Sequence, residues 1–279
     1  MSGFSAQWLD LREPVDHRSR NVELGHRLAR HFEGWRPITV VDLGCGTGSN
    51  LRATAPLLGP EQHWTLVDND QGLLDAAAER LTAWADGADR QGRALALFKG
   101  AKRINVEFRR ADLARDLKAA LGPSANLVTA SALFDLVSAE FIARLAAAVA
   151  ARKSAFYTVL TYDGDQRWMP EHEADAALVA AFNAHQRRDK GFGPAAGPDA
   201  PDALSEAFVA AGYTVQEGDS AWRLDGGDAA LIAELAAGFA DAARETGQVD
   251  APAIAAWRTV IRTGAVVGHT DTLALPSAG

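Results

Sequence analysis

Three glycines at alternate positions, Gly44, Gly46 and Gly48, follow the apolar run of residues 38–41 and precede Ser49 and Asn50. Glycine accepts a positive φ and leaves the backbone bare, so a ligand can come up against main-chain N–H groups. The run before the loop, Ile-Thr-Val-Val, is mostly β-branched and reads as a strand buried on both faces. Ser49 or Asn50 can cap a helix beginning near Leu51. Free N–H groups at such a helix start attract polar or anionic ligand groups, which is nucleotide-type binding. The spacing is G-x-G-x-G preceded by Asp42, whereas a dinucleotide fingerprint needs G-x-G-x-x-G. Asp68 follows about 20 residues after Gly48, where an acid at a strand end can accept ribose hydroxyls.

The segment Asp42-Leu43-Gly44-Cys45-Gly46-Thr47-Gly48 resembles the first motif of the class I S-adenosylmethionine-dependent methyltransferases: an acid, a small or apolar residue, then G-x-G-x-G. Two further acids agree with it. Asp68 ends the strand-like run 63–68, and Asp112-Leu113 follows the alternating run 104–108. The resemblance implies that Asp68 holds both ribose hydroxyls of the cofactor and that Asp112 meets the adenine amino group. It also implies that Asp42, Gly44, Cys45, Gly46, Gly48, Asn69, Leu113 and Ser131 belong to the same site. Residues 131–136 lie where those enzymes face the methyl group and its acceptor, which makes Phe134 and Asp135 candidates. Asp70 stands where the family often has serine and reads as the cap of a helix over 71–84. Asn126 stands where an acid is usual. The resemblance covers residues 36–163 by motif and the remainder by element order.

The elements that must position these residues alternate along the chain, so the expected fold is α/β. It is a Rossmann-like, mostly parallel seven-stranded sheet with helices on both faces, in one domain over residues 1–279. Strands are expected at 38–41, 63–68, 104–108, 125–131, 155–162, 213–224 and 265–275. Residues 1–37 form an N-terminal helical segment, with Leu24, Leu28 and Phe32 on one helix face. Ser138 caps a helix over 139–151. Residues 86–102, rich in Gly, Ala and Arg, fit no element beyond a short apolar turn at 94–98. Residues 164–201 break the alternation and read as a lid over an acceptor site, with Trp168, Arg187, Arg188 and Lys190 as its substrate contacts. Residues 225–263 read as a helical insertion before the last strand.

The chain has 279 residues, a net charge of −8 and a single cysteine. That cysteine excludes an intramolecular disulfide and a cysteine-based metal cluster. The seven histidines follow no zinc spacing, no G-x-S-x-G elbow is present, and the expectation is no metal. No stretch approaches the roughly 20 apolar residues of a membrane span, so a cytoplasmic chain without membrane association is expected. The acidic balance weighs against a general grip on nucleic acid. These readings converge on S-adenosylmethionine-dependent methyl transfer to a small molecule. The alternatives are a methyltransferase acting on RNA or protein, an NAD(P)-dependent oxidoreductase, and a cofactor-binding protein without catalysis. A sulfonium methyl is already activated, so alignment alone can supply roughly 7–11 kcal/mol. Where a base is needed, Asp135, Tyr162, His172 and His185 are candidates.

Overall fold

The computed structural model describes residues 4–92 and 94–277. Two helices, α1 (Ala6–Ser19) and α2 (Val22–His31), lead into β1 (Ile38–Leu43), α3 (Ser49–Thr54), β2 (Glu61–Asp68) and α4 (Gln71–Trp84). A hairpin of β3 (Gly87–Gln91) and β4 (Ala94–Lys99) precedes β5 (Lys102–Arg110) and α5 (Leu113–Leu121). Then come β6 (Leu127–Ser131), α6 (Ala139–Ala150), β7 (Ala155–Met169), α7 (Asp175–Gln186) and α8 (Ala200–Ala210). The chain closes with β8 (Tyr213–Asp219), β9 (Trp222–Leu224), α9 (Ala229–Thr246), α10 (Ala251–Arg258) and β10 (Gly264–Pro276).

The sheet runs β3-β4-β5-β2-β1-β6-β7-β10-β8, with β9 on the free stretch of β10. From β5 to β7 the strands are parallel, so their carboxyl ends share one edge, the edge where ligands bind in open α/β sheets. Strand β10 is antiparallel to both β7 and β8. Alternate residues of each central strand enter two cores. One holds Val40, Trp64, Ile104 and Tyr157 against α2, α4, α7, α9 and α10. The other holds Val41, Val128 and Phe156 against α5, α6 and α8. Each fully buried Leu, Val or Phe contributes roughly 1.5–3 kcal/mol, so both layers hold the sheet firmly.

Local signals set several boundaries. The Asp70 side chain accepts the Gly72 N–H at 2.7 Å and starts α4, and Ser138 accepts the Phe141 N–H at 3.1 Å and starts α6. At α3 the cap is Gly48 in the left-handed region, not Ser49 or Asn50, because the Asn50 side chain is drawn inward to Asp42 and Thr129.

Among the described residues the sheet has ten strands where seven were expected. Two of the extra strands are the hairpin β3–β4, hidden in sequence because only Leu95 and Leu97 of β4 are buried in the core. The third arises because the stretch 213–224 breaks at Ser220 into β8 and β9. The expected start of a lid at 164 also moves. Strand β7 continues to Met169, paired with β10 through Trp168 and Ala265, so 164–169 belong to the sheet. Residues 162–169, 222–224 and 264–269 thus form a three-stranded wall standing beyond the ligand edge. Helices α9 and α10 occupy the insertion before β10.

Candidate active site

The loop after β1 has Gly44, Gly46 and Gly48 at φ 64°, 52° and 78°, a region side-chain-bearing residues rarely adopt. A Cβ on Gly44 would lie 3.2 Å from Leu133, and one on Gly46 would lie 3.0 Å from Leu9. The loop is therefore a bare cradle between the N-terminal helix and the turn after β6. Beside it, one oxygen of Asp68 accepts the Gly46 N–H at 2.9 Å and the other accepts the Asp70 N–H at 3.0 Å. Asp68 is buried, and burial pushes its pKa up despite those bonds. Each carboxylate oxygen keeps a lone pair for a further donor, which suits a pair of ribose hydroxyls.

Asp42 lies beneath the loop, fully buried, with its pKa pushed up to about 7 by desolvation. Asn50 donates to it at 2.7 Å and to Thr129 at 3.1 Å, which ties the loop to β6. Asp42 is thus a support for the cradle from below. Cys45 is buried and burial raises its thiol pKa, so the sulfur is a packing group. Asp112 caps α5 through the Ala114 N–H at 3.0 Å and remains half-buried at the edge. Asn69 is exposed beside it and its carbonyl accepts from Arg110 at 3.0 Å. The Leu113 side chain is buried in the second core, which leaves its backbone as the part nearest the edge. Ser131 ends β6, half-buried.

On the acceptor side the expectations divide. Asp135 is buried near the Tyr162 backbone N–H, which acts to lower its pKa, and desolvation raises that pKa to about 6. The cations Arg12 and Lys190 both act to lower it. Phe134 differs from expectation: it is fully buried in the second core, 5.5 Å from Phe156, and packs the fold. Trp168 is likewise no pocket residue. It is buried between Phe239 and Trp257 at 5.3 and 5.2 Å, with Arg262 over its ring. The Tyr162 hydroxyl donates to Asn183 at 2.7 Å and burial raises its pKa, so it stays protonated and is a poor base.

The cation cluster also separates. Arg187 pairs with Asp199 and Arg188 with Glu245, both at the surface. Lys190 instead turns inward, 3.5 Å from His185 Nδ1 and within electrostatic reach of Asp135. His185 is held by Glu245 at 3.0 Å, and His172 Nδ1 accepts the Ala174 N–H at the start of α7. Neither histidine has an orientation set by the strand ends.

Three groups escaped sequence reading. Arg12 of α1 forms a buried two-point pair with Asp16, at 2.9 and 3.2 Å, and lies 4.9 Å above the Trp222 ring. Trp222 stands 5.0 Å from His269, which is 6.2 Å from Tyr162. Gly268 makes the bulge that aims His269, since a Cβ there would meet Asp163 at 2.1 Å.

Among the described residues no cluster of three metal-ligating side chains occurs, and no helix is long and apolar enough to cross a membrane. Residues 40–152 match the family model described as Methyltransferase domain. No curated protein matches the chain. Among solved structures, the YcgJ protein from Bacillus subtilis superposes with a TM-score of 0.51 at 14% identity, over 93% of this chain and all of that one. A cyclopropane-fatty-acyl-phospholipid synthase-like protein from Lactobacillus casei gives 0.49 at 15% identity, over 94% and 98%. The family match spans the cradle, Asp68, Asp112 and Asp135, and the first superposition shows the same fold. Residues 40–152 are thus similar to a methyltransferase domain, and the chain shares the fold of the first of these structures.

Proposed function

We propose that this protein methylates an oxygen or nitrogen of a small-molecule acceptor and that Asp135 is the general base. The observation that carries this reading is a buried carboxylate next to the cradle whose pKa is raised to about 6, between two cations. When bound, S-adenosylmethionine supplies an activated methyl group on a sulfonium. The bare loop Gly44–Gly48 and the Asp68 carboxylate would hold it, with Asp112 at the adenine end. Asp135 would take the proton from the acceptor's O–H or N–H onto a carboxylate oxygen as that atom becomes the nucleophile. A base with a pKa near 6 is mostly deprotonated at neutral pH yet strong enough to accept a proton. Leu9 of helix α1 lies over Gly46, and a site covered on that side suits a small acceptor over a polymer.

The test is a screen of hydroxylated and amino-bearing small molecules for release of S-adenosylhomocysteine. Asp135→Asn keeps size and polarity and should bind S-adenosylhomocysteine normally while turnover falls by about 10²–10⁴-fold. Full activity in Asp135→Asn would remove the base from the mechanism and leave alignment alone.

A further inference from the structure

We propose that Trp222 and His269 form an anchoring subsite that takes an uncharged oxygen function, hydroxyl or carbonyl, of the methyl acceptor. The proposal rests on the methyltransferase reading above and specifies what its acceptor must carry. Trp222 and His269 are 3% and 6% exposed, yet Trp222 Nε1 and His269 Nδ1 have no hydrogen-bond partner. Buried polar groups are nearly always paired, and two orphans on rings 5.0 Å apart call for a shared partner. An indole N–H can only donate, so that partner must offer an acceptor atom, which an oxygen does.

The charges nearby argue for a neutral group. Arg12, stacked over Trp222, already spends its guanidinium on both oxygens of Asp16. His269 is uncharged: burial, and then the Arg12 charge, push its pKa down to about 3. The subsite therefore offers hydrogen bonds without a free cation, and an anion entering it would lose its hydration uncompensated. Its position relative to the base follows from strand register. Val267 pairs with Trp222, and His269 pairs with Tyr162, whose backbone N–H lies near Asp135. The subsite and Asp135 thus share Tyr162 as a neighbour, His269 as its cross-strand partner and Asp135 near its backbone N–H.

The test uses the full chain with ¹⁵N-labelled tryptophan, saturated with S-adenosylhomocysteine, and follows indole N–H resonances. Trp222→Phe removes one of the seven tryptophan signals and so assigns it. Benzyl alcohol, acetophenone and benzoate are titrated as hydroxyl, carbonyl and anionic probes at millimolar concentrations. A saturable downfield shift of the Trp222 signal with benzyl alcohol or acetophenone, and none with benzoate, is the expected result. His269→Phe should weaken that titration about five- to tenfold, the loss of one hydrogen bond. Should His269→Phe fail to fold, the comparison of the three probes on the wild-type chain still decides. Benzoate acting as the best probe, or no shift with any of the three, overturns the subsite. Calorimetry with S-adenosylhomocysteine on the same samples keeps the two readings apart. Lost cofactor binding counts against the methyltransferase reading, and the probes are then titrated on the free protein by the same criterion.

Discussion

Leu9 of the N-terminal helix closes on Gly46: a Cβ added to that glycine would sit 3.0 Å from Leu9 Cδ1. Helix α1 is tied down on both sides of this contact. Asp10 pairs with Arg80 of α4 at 2.5 Å, Glu13 with Arg52 of α3 at 2.6 Å, and Arg18 with Asp228 before α9 at 2.5 Å. His17 adds a hydrogen bond to Ser49 at 2.9 Å. The helix therefore bridges the cofactor half of the sheet and the helical insertion.

Gly46→Val should abolish S-adenosylhomocysteine binding. Its side chain would fill the cradle and meet Leu9, and its φ of 52° strains any β-branched residue by about 1–2 kcal/mol. The fold should persist with a modestly lowered melting temperature, because the change is at a loop. Calorimetric titration beside circular dichroism checks both halves. Micromolar binding by a folded Gly46→Val protein is the result that defeats the cradle assignment.

Asp68 and Asp70 should behave differently although both are acids near the same edge. Asp68→Ala removes the acceptor for the Gly46 N–H and for the ribose that Asp68 is proposed to hold, where charge-assisted bonds contribute roughly 1.5–3 kcal/mol each. Cofactor binding should weaken by on the order of a hundredfold or more. Asp70→Ala removes only the α4 cap, about 1 kcal/mol of stability, and affinity should stay within a fewfold. The reverse ranking in a titration would mean that Asp70 is the ribose ligand.

Turnover should rise with pH through the titration of Asp135, near 6, because the base acts when deprotonated. Lys190 holds that pKa down, so Lys190→Ala should move the acid limb of the pH–rate profile to higher pH. Activity would then fall more at pH 6 than at pH 8. Arg187→Ala and Arg188→Ala should leave the limb in place, since Arg187 is paired with Asp199 and Arg188 with Glu245. An unmoved limb in Lys190→Ala would separate Lys190 from the site.

Of the three pairs holding α1, Glu13–Arg52 is the most buried, with side chains 19% and 7% exposed. Glu13→Gln leaves the Arg52 charge without its partner carboxylate, whereas Asp10→Asn removes a more exposed pair of about 0–1 kcal/mol. Hydrogen exchange over residues 6–19 should therefore speed up markedly in Glu13→Gln and little in Asp10→Asn. Equal exchange in the two variants would mean that the Glu13–Arg52 pair is not what retains the helix.

The layout of the strand-end edge was legible because its signals are local. The alternating glycines, the acid ending β2 and the acid capping α5 each sit at a strand end, and chain order in a parallel α/β sheet brings those ends to one edge. The caps Asp70 and Ser138 were legible for the same reason, since a side chain bonding two or three residues ahead needs no distant partner. The acceptor half was not. Trp168 and the cations at 187–190 resemble pocket residues by type, but helices α9 and α10 bury the tryptophan, and acids on distant elements pair the arginines. Arg12, Trp222 and His269 come from opposite ends of the chain. Antiparallel register on β10, a bulge at Gly268 and the docking of α1 bring them together. Sequence spacing carries local geometry, and only tertiary packing decides which distant side chains share a buried space.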